Sequence, residues 1–164
     1  MLKYDRVKAV EYAHKWAMGR NPAYHDFERL GGDCTNFASQ CVYAGAGVAN
    51  RDPNYGWFFD SLSRRAPAWT GVDPLYTYLT GNRGAGPAAA EAEACDVQPG
   101  DLCQLSFDGE NFSHTPFIVG LTGEPNPDTI MIAAHSYDCD NRPLSSYTYK
   151  KVRYLHIVGV NGLR

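Results

Sequence analysis

Hydrophobic periodicity changes once along this chain, and that change limits the folds open to it. Through the first third, apolar residues return every three to four positions; from Val97 onward they alternate. In "DRVKAVEYAHKWAM", Val7, Val10, Ala13 (or His14) and Trp16-Ala17 predict a helix over about 5–18, stopped by Gly19 and Asn21-Pro22. The loop "NPAYHDFERLGG" leads into a second helix. There Asp33 is a good N-cap, Phe37, Cys41 and Ala44 form the apolar stripe, and Gly45 and Gly47 close it. Asp73-Pro74 is expected to open a short helix over "PLYTYLT", and 81–94, rich in Gly and Ala, to be a flexible excursion or a weak helix. After a turn centred on Pro99-Gly100, "DLCQLSF", "HTPFIVGL", "TIMIAAHS" and "YLHIVGV" are expected strands. Helices first and strands afterwards, with no internal repeat, predict one α+β domain over 1–164, its helices packed on a C-terminal antiparallel sheet.

A chain of 164 residues is long enough for one proper core, and 44% apolar with 20% charged residues is ordinary for a globular protein. The net charge of -3 offers no basic stripe, so no nucleic-acid partner is expected; Arg64-Arg65 and Lys150-Lys151-Arg153 are short runs of solvated surface. No apolar run approaches the roughly 18 residues that span a bilayer. The charged start "MLKYDRVKAVEY" is no signal peptide. The expected compartment is therefore the cytoplasm if the chain is complete, and extracytoplasmic if it is a domain cut from a precursor. A monomer is expected.

Five cysteines leave at least one unpaired in a monomer. Cys34 and Cys41 on one helix would sit roughly 10 Å apart, beyond disulfide reach. Neither C-x-x-C nor H-E-x-x-H occurs, and "DCDNRP" lacks the glycine and terminal glutamate of a calcium loop, so no metal or other cofactor is expected.

Chemistry is suggested by "GGDCTNFASQC", residues 31–41. Cys34 falls in the first turn of the second helix, where free N–H groups and the helix dipole favour a thiolate. The two glycines before it remove bulk where a carbonyl would approach, and its own N–H can face an oxyanion. A buried structural cysteine is the competing reading at that position. Cys41, on the apolar stripe, and Cys103, in a strand, read as core. A thiol nucleophile needs a base and an orienting group. His14, His25 and His156 read as structural or surface residues. His114 opens one strand and His135 ends the next, so on neighbouring antiparallel strands the two imidazoles are expected at one edge of the sheet, facing each other across from Cys34.

Taken in order, "GGDCTNFASQC", "GWFFDSLSRRAPAWTGV", "GDLCQLSF", "FSHTPFIVG" and "AAHSYDCDNRPL" resemble the bacterial putative amidase domain family, with the NlpC-like and CHAP-like branches of the papain-like cysteine peptidase superfamily. The resemblance covers nearly the whole chain. It implies a papain-like α+β fold with Cys34 as nucleophile, His114 as general base and His135 as the third residue that orients it, Asp138 being the rival orienter. It also implies an upstream oxyanion group, for which Tyr24 is chosen over Asp26 or Asn36. Trp57, Trp69 and Ser113 are the candidates to touch substrate, although core packing is favoured for the tryptophans. The activity implied is cysteine-dependent cleavage of an amide through a thioester, on a peptide substrate of the bacterial cell wall (peptidoglycan) as the superfamily suggests. An acyltransferase or transamidase using the same thioester, and a catalytically silent module binding peptide or glycan, are the alternatives.

Overall fold

The computed structural model describes residues 1–163, and within them the helices come mostly before the strands, as the periodicity predicts, except for a short strand pair between the second and third helices. The helices are α1 (Arg6–Trp16), α2 (Cys34–Ala46), α3 (Pro67–Thr70) and α4 (Val72–Gly81). The strands are β1 (Phe59–Ser61), β2 (Arg64–Arg65), β3 (Gly86–Ala92), β4 (Leu102–Ser106), β5 (Phe117–Leu121), β6 (Ile130–Ala134), β7 (Cys139–Pro143) and β8 (Lys151–Asn161). β1 and β2 pair with each other, and the remaining six form one antiparallel sheet in the order β3-β8-β4-β5-β6-β7. Among the described residues no helix is long and apolar enough to cross a membrane.

The central strands β4, β5 and β6 are buried on both faces, which is why they are mostly apolar. On one face Phe117, Val119, Ala133, Leu102, Leu155 and Ile157 pack with Phe37, Cys41 and Val42 of α2 and with Ala9 and Ala13 of α1. On the other, Cys103, Leu105, Ile118, Ile132 and Ala134 form a second core, closed by Leu144 and by Tyr147 and Tyr149 from the segment between β7 and β8. Alternate residues of one strand thus belong to different cores.

Asp5 caps α1 by accepting the Lys8 N–H at 3.1 Å. The helix then lies close against α2 because its buried positions, Ala9 and Ala13, are small. The Gly45 carbonyl of α2 accepts the Asp5 N–H at 2.9 Å. The start of α1 is also fixed to the sheet by the buried Asp101 carboxylate. It accepts from Arg6 Nη1 and His156 Nδ1 at 2.8 Å each, and from the Ile157 N–H at 2.9 Å. Buried carboxylate oxygens are tolerated when filled in this way.

Three elements differ from expectation. The Gly/Ala segment 81–94 contains β3, which pairs with β8 from Gly86↔Asn161 to Ala92↔Tyr154, with one register shift between Ala88 and Ala89; this tertiary ladder overrides the weak strand preference of alanine. "DCDNRP" is the edge strand β7, paired to β6 through Ala134↔Cys139 and Ile132↔Arg142. Gly71, and not Asp73, takes the N-cap position of α4, with Asp73 inside its first turn.

A methyl group on Gly45 would sit 2.5 Å from Tyr4 Cε2 and 2.6 Å from the Asp5 carbonyl oxygen. Gly45→Ala is therefore expected to cost about 1–3 kcal/mol by overpacking. Gly81, with open space around it, is expected to accept alanine within about 0.5 kcal/mol. Urea midpoints at unchanged m-value check both.

Candidate active site

The turn before α2 is built around a buried carboxylate. Asp33 Oδ1 accepts the Phe27 N–H at 2.8 Å and Asn36 Nδ2 at 2.9 Å, and Oδ2 lies 2.5 Å from His135 Nδ1. Asp33 occupies the N-cap position as expected, but its side chain makes no capping bond to the first turn. It closes the loop 27–33 and reaches the end of β6 instead. His135 Nε2 sits 2.9 Å from the Trp16 carbonyl oxygen, and its ring stacks on Phe37 with centroids 4.1 Å apart. Both ring nitrogens of His135 are thus engaged away from His114.

One residue on, Cys34 is 7% exposed and sits across from the segment that leads into β5. The Thr35 hydroxyl lies 3.8 Å from its sulfur. A buried polar chain holds the two segments together. Thr35 Oγ1 and Thr115 Oγ1 are 2.9 Å apart, Gln104 Nε2 donates to Thr115 Oγ1 at 3.3 Å and to the Val72 carbonyl at 2.8 Å, and Arg153 Nε donates to Gln104 Oε1 at 2.8 Å.

Strand parity decides where His114 goes. Thr115 faces α2, so its neighbour points through the sheet to the second core. There His114 Nε2 lies 3.3 Å from the Tyr147 hydroxyl, with ring centroids 5.4 Å apart, beside Phe107. Its Nδ1 makes no protein hydrogen bond among the described residues and is not sealed from solvent. His114 and His135 lie at the same end of adjacent strands, as the sequence predicts, yet on opposite faces, and no hydrogen bond joins them. Nor does one join Cys34 to His114, although the residues that follow them, Thr35 and Thr115, are joined through their hydroxyls.

The other candidates are dispersed. Asp138 does not reach His114; its carboxylate pairs with Arg20 at 2.7 Å, and Arg20 also approaches Asp26 (3.2 Å), Glu28 (3.5 Å) and Asp33 (3.7 Å). Tyr24 stacks on Trp69 and meets Phe59 at a tilt, with centroids 5.9 and 5.3 Å away, and its hydroxyl makes no protein hydrogen bond among the described residues. Asn36 is spent on Asp33, on the His25 carbonyl and on Trp69 Nε1. Trp57 and Trp69 are buried, their indole N–H groups donated to Ser39 at 3.0 Å and Asn36 at 2.9 Å, so they anchor the aromatic middle to α2 and are not groove walls. Ser113 is exposed directly before His114.

Burial sets the electrostatics. It pushes the Cys34 thiol above its ordinary range, outweighing the Thr115 and Thr35 groups that favour the thiolate, against the lowering expected from the helix terminus alone. Burial, with a smaller contribution from Arg142, pulls His114 from 6.5 to about 4. At neutral pH the site holds a neutral thiol and a neutral imidazole. Two clefts, of about 740 and 680 Å³, open elsewhere, one by Tyr55, Asn82 and Arg83 and the other by Arg6, Gln98 and His156; neither includes Cys34 or His114. Among the described residues no group of three His, Cys, Asp or Glu side chains is placed to hold a metal ion.

Sequence reasoning missed Tyr147, one of eleven tyrosines, in the unpatterned stretch "SSYTYK". It missed the Thr35–Thr115–Gln104 chain as well, for which a polar Gln104 inside an apolar strand was the available signal.

An α+β domain with a cysteine at a helix N-terminus, beside a histidine just ahead of a central strand, is the class that this fold and site define. The chain belongs to the family described as "Putative amidase domain", which matches residues 3–158. It is similar to the uncharacterized protein YhbB of Bacillus subtilis (strain 168), at 34% identity over 167 residues, covering 96% of this chain and 51% of the relative. The chain spans about half the length of that curated relative. No solved structure matches it.

The His114 shift links folding to pH. Between about 4 and 6.5 the unfolded chain binds a proton that the folded ring refuses, so this contribution to stability is full above 6.5 and lost as pH falls toward 4. Its size is up to about 3 kcal/mol. In His114→Gln that part of the acid slope is expected to vanish, checked by urea unfolding of both proteins at intervals from pH 4 to pH 7.

Proposed function

We propose that this domain is a papain-like cysteine amidohydrolase in which Cys34 is the nucleophile and His114 its general base. The observation that carries the reading is the 2.9 Å contact between the Thr35 and Thr115 hydroxyls, which sets the residue after Cys34 against the residue after a histidine whose Nδ1 is unspent. Membership of an amidase family and the helix-then-sheet order support it.

Because thiol and imidazole both rest neutral, the nucleophile is not a stored thiolate. As an amide carbonyl arrives, the Cys34 S–H proton passes through one bridging water at the sheet edge to His114 Nδ1 while sulfur bonds to carbon, so the ring keeps its place beside Tyr147. The Cys34 N–H, at the helix terminus, faces the developing oxyanion, with Tyr24 as the proposed upstream partner. The imidazolium returns its proton to the leaving amine, and water cleaves the thioester. Asp33 and His135 hold the nucleophile's turn. The substrate class is a peptide amide, with bacterial cell-wall peptide as the resemblance suggests.

One observation favours a second reading. A cysteine only 7% exposed, with its thiol pushed up, suits a silent peptide- or glycan-binding module.

Incubation with a panel of N-acyl peptide p-nitroanilides, followed by intact-mass analysis, separates these readings. Expected are turnover, a transient acyl adduct on Cys34, loss of both in Cys34→Ala, and a fall of about 10²–10⁴-fold in His114→Ala. Turnover surviving Cys34→Ala, or binding without turnover across the panel, overturns the proposal. Transfer of the acyl group to added hydroxylamine in preference to water identifies the transferase variant.

A further inference from the structure

The resemblance gives the orienting role to His135, but Asp33 and the Trp16 carbonyl occupy both nitrogens of that ring. The rival, Asp138, is held by Arg20. We propose that Tyr147 is the positioning residue of His114, its hydroxyl choosing the imidazole tautomer in which Nδ1 can take a proton; this rests on the Cys34–His114 reading above.

Among the described residues the Tyr147 hydroxyl is the one protein hydrogen-bond partner of the His114 ring, at 3.3 Å from Nε2. A neutral imidazole carries a single N–H, and a base must present its bare nitrogen to the thiol. With Nδ1 unspent, the useful tautomer keeps its proton on Nε2 and donates it to the Tyr147 oxygen. The tyrosine can accept because its own O–H has another outlet, the Cys139 sulfur 3.6 Å away. When the Cys34 proton reaches Nδ1, the bond from Nε2–H to Tyr147 persists and strengthens against the charged ring. The proton then leaves from Nδ1 to the departing amine. Tyr147 keeps its own proton throughout, and burial favours the neutral phenol.

The tyrosine is held for this task. The Arg142 guanidinium lies over its ring, 3.8 Å from the centroid, and is itself bound to Ser146 through Nε at 2.6 Å and Nη2 at 3.2 Å. Ser146 Oγ donates to the Pro143 carbonyl at 2.7 Å, and the Tyr147 N–H to the Leu144 carbonyl at 3.2 Å. A side chain locked at ring and backbone can fix a partner's orientation; a freely rotating one cannot. Parity gives the same assignment. His114 looks into the second core, to which Tyr147 belongs, whereas His135 lies on the α2 side of the sheet.

The test pairs ¹⁵N spectra of the histidine rings with acylation of Cys34 by p-nitrophenyl acetate, followed by mass spectrometry across pH. Expected are the Nε2–H tautomer for His114 in the unaltered protein, and in Tyr147→Phe a mixed tautomer with acylation slowed by about tenfold or more, the scale of one lost hydrogen bond to a charged group. His135→Asn is expected to leave the His114 signature in place. An Nδ1–H tautomer in the unaltered protein overturns the assignment whether or not any variant folds. So does a Tyr147→Phe variant with unchanged spectrum and rate, or a His114 signature that moves in His135→Asn alone; in both cases slow acylation in His114→Ala shows that the Cys34–His114 reading survives. Failure of the unaltered protein to acylate at Cys34 removes that reading, and this one with it.

Discussion

A carboxylate taken out of water must have its oxygens filled, and Asp33 fills them from segments far apart in the chain. The Phe27 N–H closes the loop before the helix, Asn36 ties the first turn of α2, and His135 brings in the end of β6. Through Asn36 the same group reaches the indole of Trp69, and through His135 the last turn of α1. The position of the Cys34 sulfur follows from these bonds, since it is the next residue and has little freedom of its own. Removing one partner of such a buried pair costs about 3–5 kcal/mol, largely because the other is left uncompensated. Asp33 therefore sets both the stability of the turn and the placement of the thiol.

Burial also decides how the proposed chemistry must start. A thiolate and an imidazolium held at this depth before substrate arrives would bear a large desolvation penalty. The neutral pair avoids it, and charge separation is postponed until a carbonyl is present to receive electron density. Helix-terminus arguments read from sequence count only the favourable N–H groups around a cysteine. They omit the water that the rest of the fold removes, and at Cys34 that omission reverses the direction of the shift.

The architecture was legible because it depends on spacing. Helical recurrence in 5–18 and 33–47 and alternation after 97 are consequences of burying one stripe or alternate side chains, and they survive tertiary detail. β3 was not legible, because alanines have no strand signal until β8 lies beside them. Cys34 stood out through its glycines and its place at the head of α2. His114 and His135 stood out as strand ends, but their relation depends on a count of residues across a strand pairing, and sequence alone does not give that register. Asp33 was read as a cap because capping is what such residues do locally, while its partners lie 6 and 102 residues away. Tyr147 lies 33 residues beyond His114, in a segment whose conformation is set by the second core.

The parity that separates His114 from Thr115 makes the three peptide links between His114 and Phe117 a counting device. Surface loops commonly gain or lose residues over time with little effect. Here the strand pairing fixes both ends, Leu105 opposite His114 and Leu102 opposite Phe117. One residue more or less would turn a hydroxyl and an imidazole to each other's side of the sheet, leaving composition, charge and length almost unchanged. Length variation among descendants of this fold should therefore be found in the loop before Ser113 and be purged from the three links after it, so that the record of the site is kept in spacing as much as in residue identity.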